Sequence, residues 1–413
     1  MQAEERLRAL YAAAVDAARP AGRIEVPAAL APKGRLIVLG AGKAAGSMAA
    51  AFEEACEQPI AAGLVVTSYG NAAPTRAIEV VEASHPVPDA NGLRAAERIM
   101  ALAKEAGPDD AVVFLGSGGG SALLALPAPG LELADKQAIT KALLASGAPI
   151  TEINNVRKSL SAVKGGRLAQ AAAPARVLSY LISDMPGDDA ALIASGPTLA
   201  SPQGFEPLAV LEKHGVEVDE RVREAIAANP APAALAGAEY KVIAKAADSL
   251  AAAAALADSW GWEARILGDA IEGEARAVAR TMAAEARALQ SGLARPVALL
   301  SGGETTVEVR GEGKGGRNQE FCLALALALD GQAGIHAIAA DTDGIDGATV
   351  HAGAVVAPDS LARMQEQGVD PQACLEANDA QRAFEAAGGL VTTGPSLTNV
   401  NDFRAVLVEP AAA

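Results

Sequence analysis

The sequence predicts an α/β protein built on mainly parallel sheets, and three observations lead there. Short apolar runs, such as residues 35–39 and 111–114, alternate with longer segments of helical periodicity. The loops rich in glycine or in charge follow such runs, where ligands of open α/β sheets bind. At 413 residues and 51% hydrophobic content, the chain has length for two or three domains and enough apolar surface for a large core.

Residues 4–18 read as an amphipathic helix, with Leu7, Leu10, Tyr11 and Val15 at helical spacing. Pro20, Pro27 and Pro32 mark a loop. The compact strand 35–39 ends in Gly40-Ala41-Gly42-Lys43-Ala44-Ala45, and a helix follows to about Cys56. Strands at 64–67 and 78–82 come next. The second leads into Ser84-His85-Pro86-Val87-Pro88-Asp89, whose prolines demand a loop. Asp89 or Asn91 caps the helix 92–105. Strand 111–114 then feeds Leu115-Gly116-Ser117-Gly118-Gly119-Gly120-Ser121, and residues 122–126 open a helix.

Residues 132–170 are helical in pieces, and strand 177–182 stops at Ser183-Asp184-Met185-Pro186-Gly187-Asp188-Asp189. Residues 226–239, rich in alanine and proline, read as a connection. Strands at 241–244 and 263–267 flank an alanine-rich helix, and another helix follows. Strand 296–300 ends in Ser301-Gly302-Gly303-Glu304, and residues 305–309 alternate like an edge strand. Residues 321–329 are apolar all round, hence a buried helix. Strand 336–340 runs into Asp341-Thr342-Asp343-Gly344-Ile345-Asp346-Gly347, and 405–408 is the last strand.

The formal charge of −16 argues against a nucleic-acid partner or an anionic membrane surface. Cys56, Cys322 and Cys374 have no metal-ligand spacing and read as core residues of a reducing compartment. The acidic start is not a signal peptide, and the longest apolar runs are too short to span a membrane. The expectation is a soluble, cytoplasmic protein.

An anion bound by so acidic a chain must meet local cations and backbone N–H groups. The loop 116–121 offers the latter, because glycines leave the backbone open and a following helix adds partial positive charge. Gly40-Ala41-Gly42-Lys43-Ala44-Ala45 fits the dinucleotide fingerprint G-x-G-x-x-A. The next strand, however, ends Thr67-Ser68-Tyr69, without the acid that would hold a ribose, and Lys43 stands inside the turn. Residues 154–167 carry four bases and no acid, and on a helix Arg157 and Lys164 share a face. Arg317 opens the buried helix behind a glycine-rich loop and offers a planar fork to phosphate or carboxylate. Asp184, Asp188 and Asp189 in one loop, and Asp341, Asp343 and Asp346 in another, suit a divalent cation shared with substrate phosphates. Neither Ser117 nor Ser121 fits G-x-S-x-G, so hydrolase chemistry has little support. Together these features suggest phosphoryl transfer, which needs positioning and charge neutralisation more than a nucleophilic side chain.

The chain resembles the glycerate 2-kinase family with a C-terminal MOFRL domain, over nearly its whole length. The resemblance rests on Gly40-Ala41-Gly42-Lys43, the 84–89 and 116–121 segments, Asn154-Asn155-Val156-Arg157-Lys158, Ser183-Asp184-Met185-Pro186-Gly187-Asp188, Ser195-Gly196-Pro197-Thr198, Ser301-Gly302-Gly303-Glu304-Thr305, Gly315-Gly316-Arg317-Asn318-Gln319-Glu320 and the 341–347 loop. It implies a Rossmann-like N-terminal domain at 1–238, a smaller α/β MOFRL domain at 239–413, and an active site in the cleft between them. It implies ATP-dependent phosphorylation of D-glycerate at the 2-hydroxyl with Mg²⁺ or another divalent cation. The family's proposed catalytic lysine and arginine fall on Lys43 and Arg317.

On this reading ATP lies over Gly116, Ser117, Gly118, Gly119, Gly120 and Ser121. Gly42, Lys43, His85, Arg157, Glu304 and Asn318 meet the substrate, and Asp189, Asp343 and Asp346 the metal. Asp184 or Asp346 accepts the hydroxyl proton. Partners are small molecules, with neither nucleic acid nor membrane, and a homo-oligomer stays open. Two other classes remain: an NAD(P)-dependent hydroxypyruvate reductase, a label some members carry, and a non-catalytic sugar-acid binding protein.

Overall fold

A computed structural model describes residues 1–30, 33–200, 205–233 and 238–411; Pro32 and part of the expected 226–239 connection lie outside them. The chain forms two compact units, Pro20–Ile243 and Met1–Arg19 with Ala244–Ala413. The expected boundary at 238/239 falls at the start of a strand, Ala238–Ala244, and the N-terminal helix belongs with the C-terminal half.

The first unit contains β1 (Leu36–Ala41), β2 (Ile60–Ser68), β3 (Glu79–Ala83), β4 (Ala111–Gly116), β5 (Arg176–Ile182) and β6 (Ala238–Ala244). They form one sheet in the order β3-β2-β1-β4-β5-β6, and β1 to β5 run parallel. Every residue of β1 and β4 is buried, as expected of strands covered on both faces. Ile37, Leu39, Val112 and Phe114 pack in one cluster with Ala95, Ala96, Ile99 and Ala103 of the helix Ala90–Lys104. Asp89 caps that helix, accepting from the Gly92 N–H at 2.9 Å. The strand order reverses between β1 and β4, and such a switch point leaves a crevice at the carboxyl ends of the strands.

The second unit contains β7 (Glu263–Gly268), β8 (Gly273–Glu274), β9 (Val297–Gly303), β10 (Thr305–Thr306), β11 (Ile335–Asp341), β12 (Gly353–Val356), β13 (Leu390–Val391) and β14 (Asp402–Val408). Its six-stranded sheet has the order β13-β12-β11-β14-β9-β7, and only β7 and β9 in it pair in parallel. The expectation of mainly parallel sheets therefore fails here. β11 reaches β12 through a loop, and antiparallel neighbours need no helical crossover. The edge strand expected at 305–309 shortens to Thr305–Thr306, which pairs with β8.

The helix Arg317–Leu329 is buried as predicted; Phe321 and Leu325 pack in one cluster with Ala337, Val356 and Val406. The N-terminal helix Ala3–Ala18 packs Leu7, Leu10 and Tyr11 in a cluster with Leu250, Phe403 and Leu407. Three bonds fasten it: Tyr11 donates to the Asp341 carbonyl (2.7 Å), Ser249 to that of Ala14 (2.7 Å) and Thr398 to that of Ala18 (2.7 Å). All three cysteines are free; Cys322 and Cys374 are buried, but Cys56 is only half-buried. Among the described residues no helix is long and apolar enough to cross a membrane.

Candidate active site

The site in the first unit starts from the register Ala41↔Gly116, which releases two glycine-rich loops side by side from β1 and β4. They are stitched together. The Lys43 N–H donates to the Gly118 carbonyl (2.8 Å), the Ala44 N–H to Ser117 Oγ (3.0 Å), and the Ser117 N–H to the Ala41 carbonyl (3.1 Å). Gly42 sits at φ +141°, and a Cβ there would lie 2.1 Å from Ser117 Oγ. A Cβ on Gly40 would lie 2.6 Å from the Leu115 carbonyl, and one on Gly46 would lie 2.7 Å from that of Asn71. The close approach these glycines permit is thus taken by the protein's own chain, not left for a pyrophosphate.

Gly119, at φ +79°, brings two predicted residues together. A Cβ on it would stand 3.2 Å from Lys43 Cγ and 3.1 Å from His85 Cδ2. The helix that follows is one turn, Gly120–Leu123, so the partial charge expected from a helix end is small. Side-chain cations supply the positive charge instead.

They converge on Ser121. Its Oγ meets Lys164 Nζ at 2.8 Å, Ser195 Oγ at 2.9 Å and Arg157 Nη2 at 3.4 Å. The sequence placed Arg157 and Lys164 on one helix, but that helix ends at Ser159 and Lys164 stands in the turn beyond. Tertiary contacts restore the pairing. The Gly165 N–H donates to the Ser195 carbonyl (3.0 Å) and the Gly166 N–H to that of Gly196 (2.8 Å). Ala194 and Ser195 are held at φ +51° and +64°, a left-handed conformation costly for residues other than glycine.

Lys136 joins the cluster, its Nζ donating to the Ala125 carbonyl at 3.0 Å and to that of Leu126 at 3.4 Å. Burial, with Arg157 nearby, pushes the Lys136 amine down to about 7. Burial pushes Lys164, 2% exposed, well below the ordinary lysine range; Lys136, Arg157 and Lys158 reinforce that. Among the described residues Lys136, Arg157 and Lys164 form no ion pair, while Lys158 has the charge of Asp189 in its favour. A buried cation without a counter-charge is costly, and a bound anion relieves it.

Asp184 and Asp189 follow β5, the strand beside β4. Asp189 is exposed; its Oδ1 accepts the Ala191 N–H at 2.9 Å, and its charge favours the protonated form of Lys158.

In the second unit Arg317 is held by three carboxylates. Nε donates to Asp402 Oδ1 (2.8 Å), Nη1 to Glu304 Oε1 (2.7 Å) and Nη2 to Asp341 Oδ2 (2.6 Å). Burial works against its charge, but Asp341, Asp402 and Glu304 outweigh burial and raise its pKa. Asp402 is fully buried and central: Asn318 Nδ2 donates to its Oδ1 at 2.7 Å, and Arg404 Nη2 to its Oδ2 at 2.6 Å.

Two acidic assignments change. Asp346 Oδ1 accepts from the Asn318 N–H (3.0 Å) and Oδ2 from the Gln319 N–H (2.9 Å), so this buried carboxylate anchors the start of the helix Arg317–Leu329. With the residue 0% exposed, its oxygens are closed to a solvent-borne metal ion, and its place in this structure is that of an anchor. Burial raises it to about 7 despite those two N–H groups. Asp343 Oδ1 accepts the Ile345 N–H at 2.8 Å within its own turn. Among the described residues no three His, Cys, Asp or Glu side chains come together as a metal cage. Mg²⁺ does not require one: it keeps several waters and takes one or two carboxylates plus substrate phosphates. Exposed Asp189 fits that donor set, and Asp346 does not.

The structure thus gathers Gly42, Lys43, His85, residues 116–121 and Arg157 in the first unit, and Glu304, Arg317 and Asn318 in the second. Sequence reasoning missed Lys136, Asp402 and Arg404 as site residues, and nothing around Asp402 or Arg404 marked them. Lys164 was singled out with Arg157 in the base-rich segment 154–167 without a role of its own, and Asp341 was read as part of a cation loop, whereas it accepts from Arg317 at 2.6 Å.

A model of a domain of unknown function, DUF4147, matches residues 6–227, and the MOFRL family model matches residues 297–402. A D-glycerate 2-kinase from Thermotoga maritima is 42% identical over 89% of both chains. The chain belongs to the glycerate 2-kinase family with a MOFRL domain. A crystal structure of a glycerate kinase from Thermotoga maritima superposes with a TM-score of 0.89 at 39% identity, covering 98% of this chain and 99% of that one. The family also includes a protein of Agrobacterium vitis named provisionally as a hydroxypyruvate reductase, 50% identical over 99% of this chain and 95% of its own length.

Proposed function

We propose that this protein transfers the γ-phosphoryl group of ATP to the 2-hydroxyl of D-glycerate, giving 2-phospho-D-glycerate and ADP. The observation that carries the reading is the set of buried Lys164 and Lys136 and half-buried Arg157 beside the loop 116–121. Such a set suits a polyanion, and the family membership points to ATP.

The bond from the γ-phosphorus to the β-bridging oxygen breaks, and one to the 2-hydroxyl oxygen forms. The hydroxyl proton passes to Asp184, at the carboxyl end of β5. Lys43 lies against Gly119, where it neutralises charge on the transferred group and the glycerate carboxylate. In the second unit Arg317 is the proposed anion-binding cation. Asp341 and Asp402 fix its fork, while its contact with half-exposed Glu304 is the one a substrate anion replaces. Asp189 would hold Mg²⁺, which would supply further neutralisation of the phosphates.

The reductase reading has the strand order and the Agrobacterium relative behind it. Against it stand the protein-filled glycine turn and the missing ribose acid after β2. Phosphorus NMR of pure protein incubated with D-glycerate, ATP and Mg²⁺ tests the choice. A 2-phosphoglycerate resonance is expected. A 3-phosphoglycerate resonance moves the site of transfer. No transfer, with NADH consumed on hydroxypyruvate, overturns the kinase reading.

A further inference from the structure

A cavity of about 370 Å³ in the first unit is lined by Ser121, Lys136, Arg157 and Lys164 together with an apolar wall that includes Val87, Leu133, Leu144 and Leu160. Val87 and Leu144 in that wall are 64% and 59% exposed. A three-carbon hydroxy acid would leave that wall unused. The volume falls within the range of about 300–1,000 Å³ typical of pockets for larger organic ligands.

We propose that this cavity seats the base and ribose of the adenine nucleotide, with the phosphates drawn to Arg157, Lys164 and Lys136. This rests on the kinase reading for the identity of the nucleotide. The chemistry of the lining argues for it. A nucleotide joins a polyanion to a flat, largely apolar ring, and the cavity joins a cation cluster to an apolar wall. Thr140 and Gln137 add a hydroxyl and an amide to that wall, for the polar edge of the base. The low proton affinity of Lys136 and Lys164 in the free protein agrees: each is poised to take up a proton when phosphate arrives.

Calorimetric titration of the intact protein with ADP and with inorganic tripolyphosphate separates the two halves. Thr140→Trp fills the apolar part and is expected to weaken ADP about tenfold, leaving tripolyphosphate within about twofold. Leu144→Ser, on the exposed face of the helix Leu133–Ala145, is expected to act the same way by about fivefold without threatening the fold. Lys164→Gln is expected to weaken both ligands. ADP affinity unmoved in both wall variants overturns the proposal even if glycerate is phosphorylated. The expected binding pattern without any phosphate transfer keeps the nucleotide site and removes the kinase reading.

Discussion

Lys136→Met probes the desolvated amine beside the proposed phosphate site. The Lys136 pKa falls from 10.5 to about 7 in the folded chain, chiefly through burial. Between those values the unfolded chain holds the proton and the folded chain does not, so stability rises with pH across that window. At 1.36 kcal/mol per pKa unit, the penalty for this group is about 5 kcal/mol below pH 7 and vanishes above the unfolded value. From pH 7 to pH 9 the wild type recovers about 2 kcal/mol of it.

The methionine carries no proton and recovers nothing. It also leaves the Ala125 and Leu126 carbonyls without their donor, a loss of about 1–3 kcal/mol at every pH. The variant is therefore expected to be more stable than wild type near pH 6 and to lose most of that advantage by pH 9. Urea unfolding at pH 6, 7, 8 and 9 measures the difference directly. A gap that stays constant over this range refutes the argument, because it would mean the amine titrates alike in both states.

Four further outcomes are expected. Lys43→Ala should lower kcat about 10²–10³-fold with the fold intact by circular dichroism, and an unchanged kcat removes Lys43 from the chemistry. Arg317→Met should both abolish turnover and destabilise the second unit by about 3–5 kcal/mol in thermal unfolding, because Asp402 keeps a buried charge with one partner fewer. Gly42→Ala forces a methyl group to 2.1 Å from Ser117 Oγ at φ +141°, so its loss of stability should exceed about 3 kcal/mol; a near-neutral midpoint contradicts the stitched-loop geometry. Stripping divalent cations with EDTA should stop transfer, with recovery on adding Mg²⁺, while the melting temperature stays put, since no described carboxylate cage depends on the ion.

Much of the first unit was legible in the sequence because its signals are local. An apolar run ending in glycine announces a buried parallel strand and its turn, and Asp89 announces a helix start. The same patterns marked Lys43, Arg157, Arg317 and the loop 116–121. The short strands β12 and β13 carried too little period to register.

Local pattern along the chain marks the strand–loop junctions and the charge types placed on them. Which of those charges meet is settled by long-range contacts in the folded chain. Lys164 reaches Ser121 across 43 residues of chain and Asp402 reaches Arg317 across 85, with spacings that no helical or strand period encodes. The same holds for the N-terminal helix, which joins the C-terminal half by donating and accepting single hydrogen bonds across more than 230 positions. Asp346 is the plainest case. Its acidity read as a metal ligand, but burial and two helix-start N–H groups, both supplied by distant chain, made it an anchor.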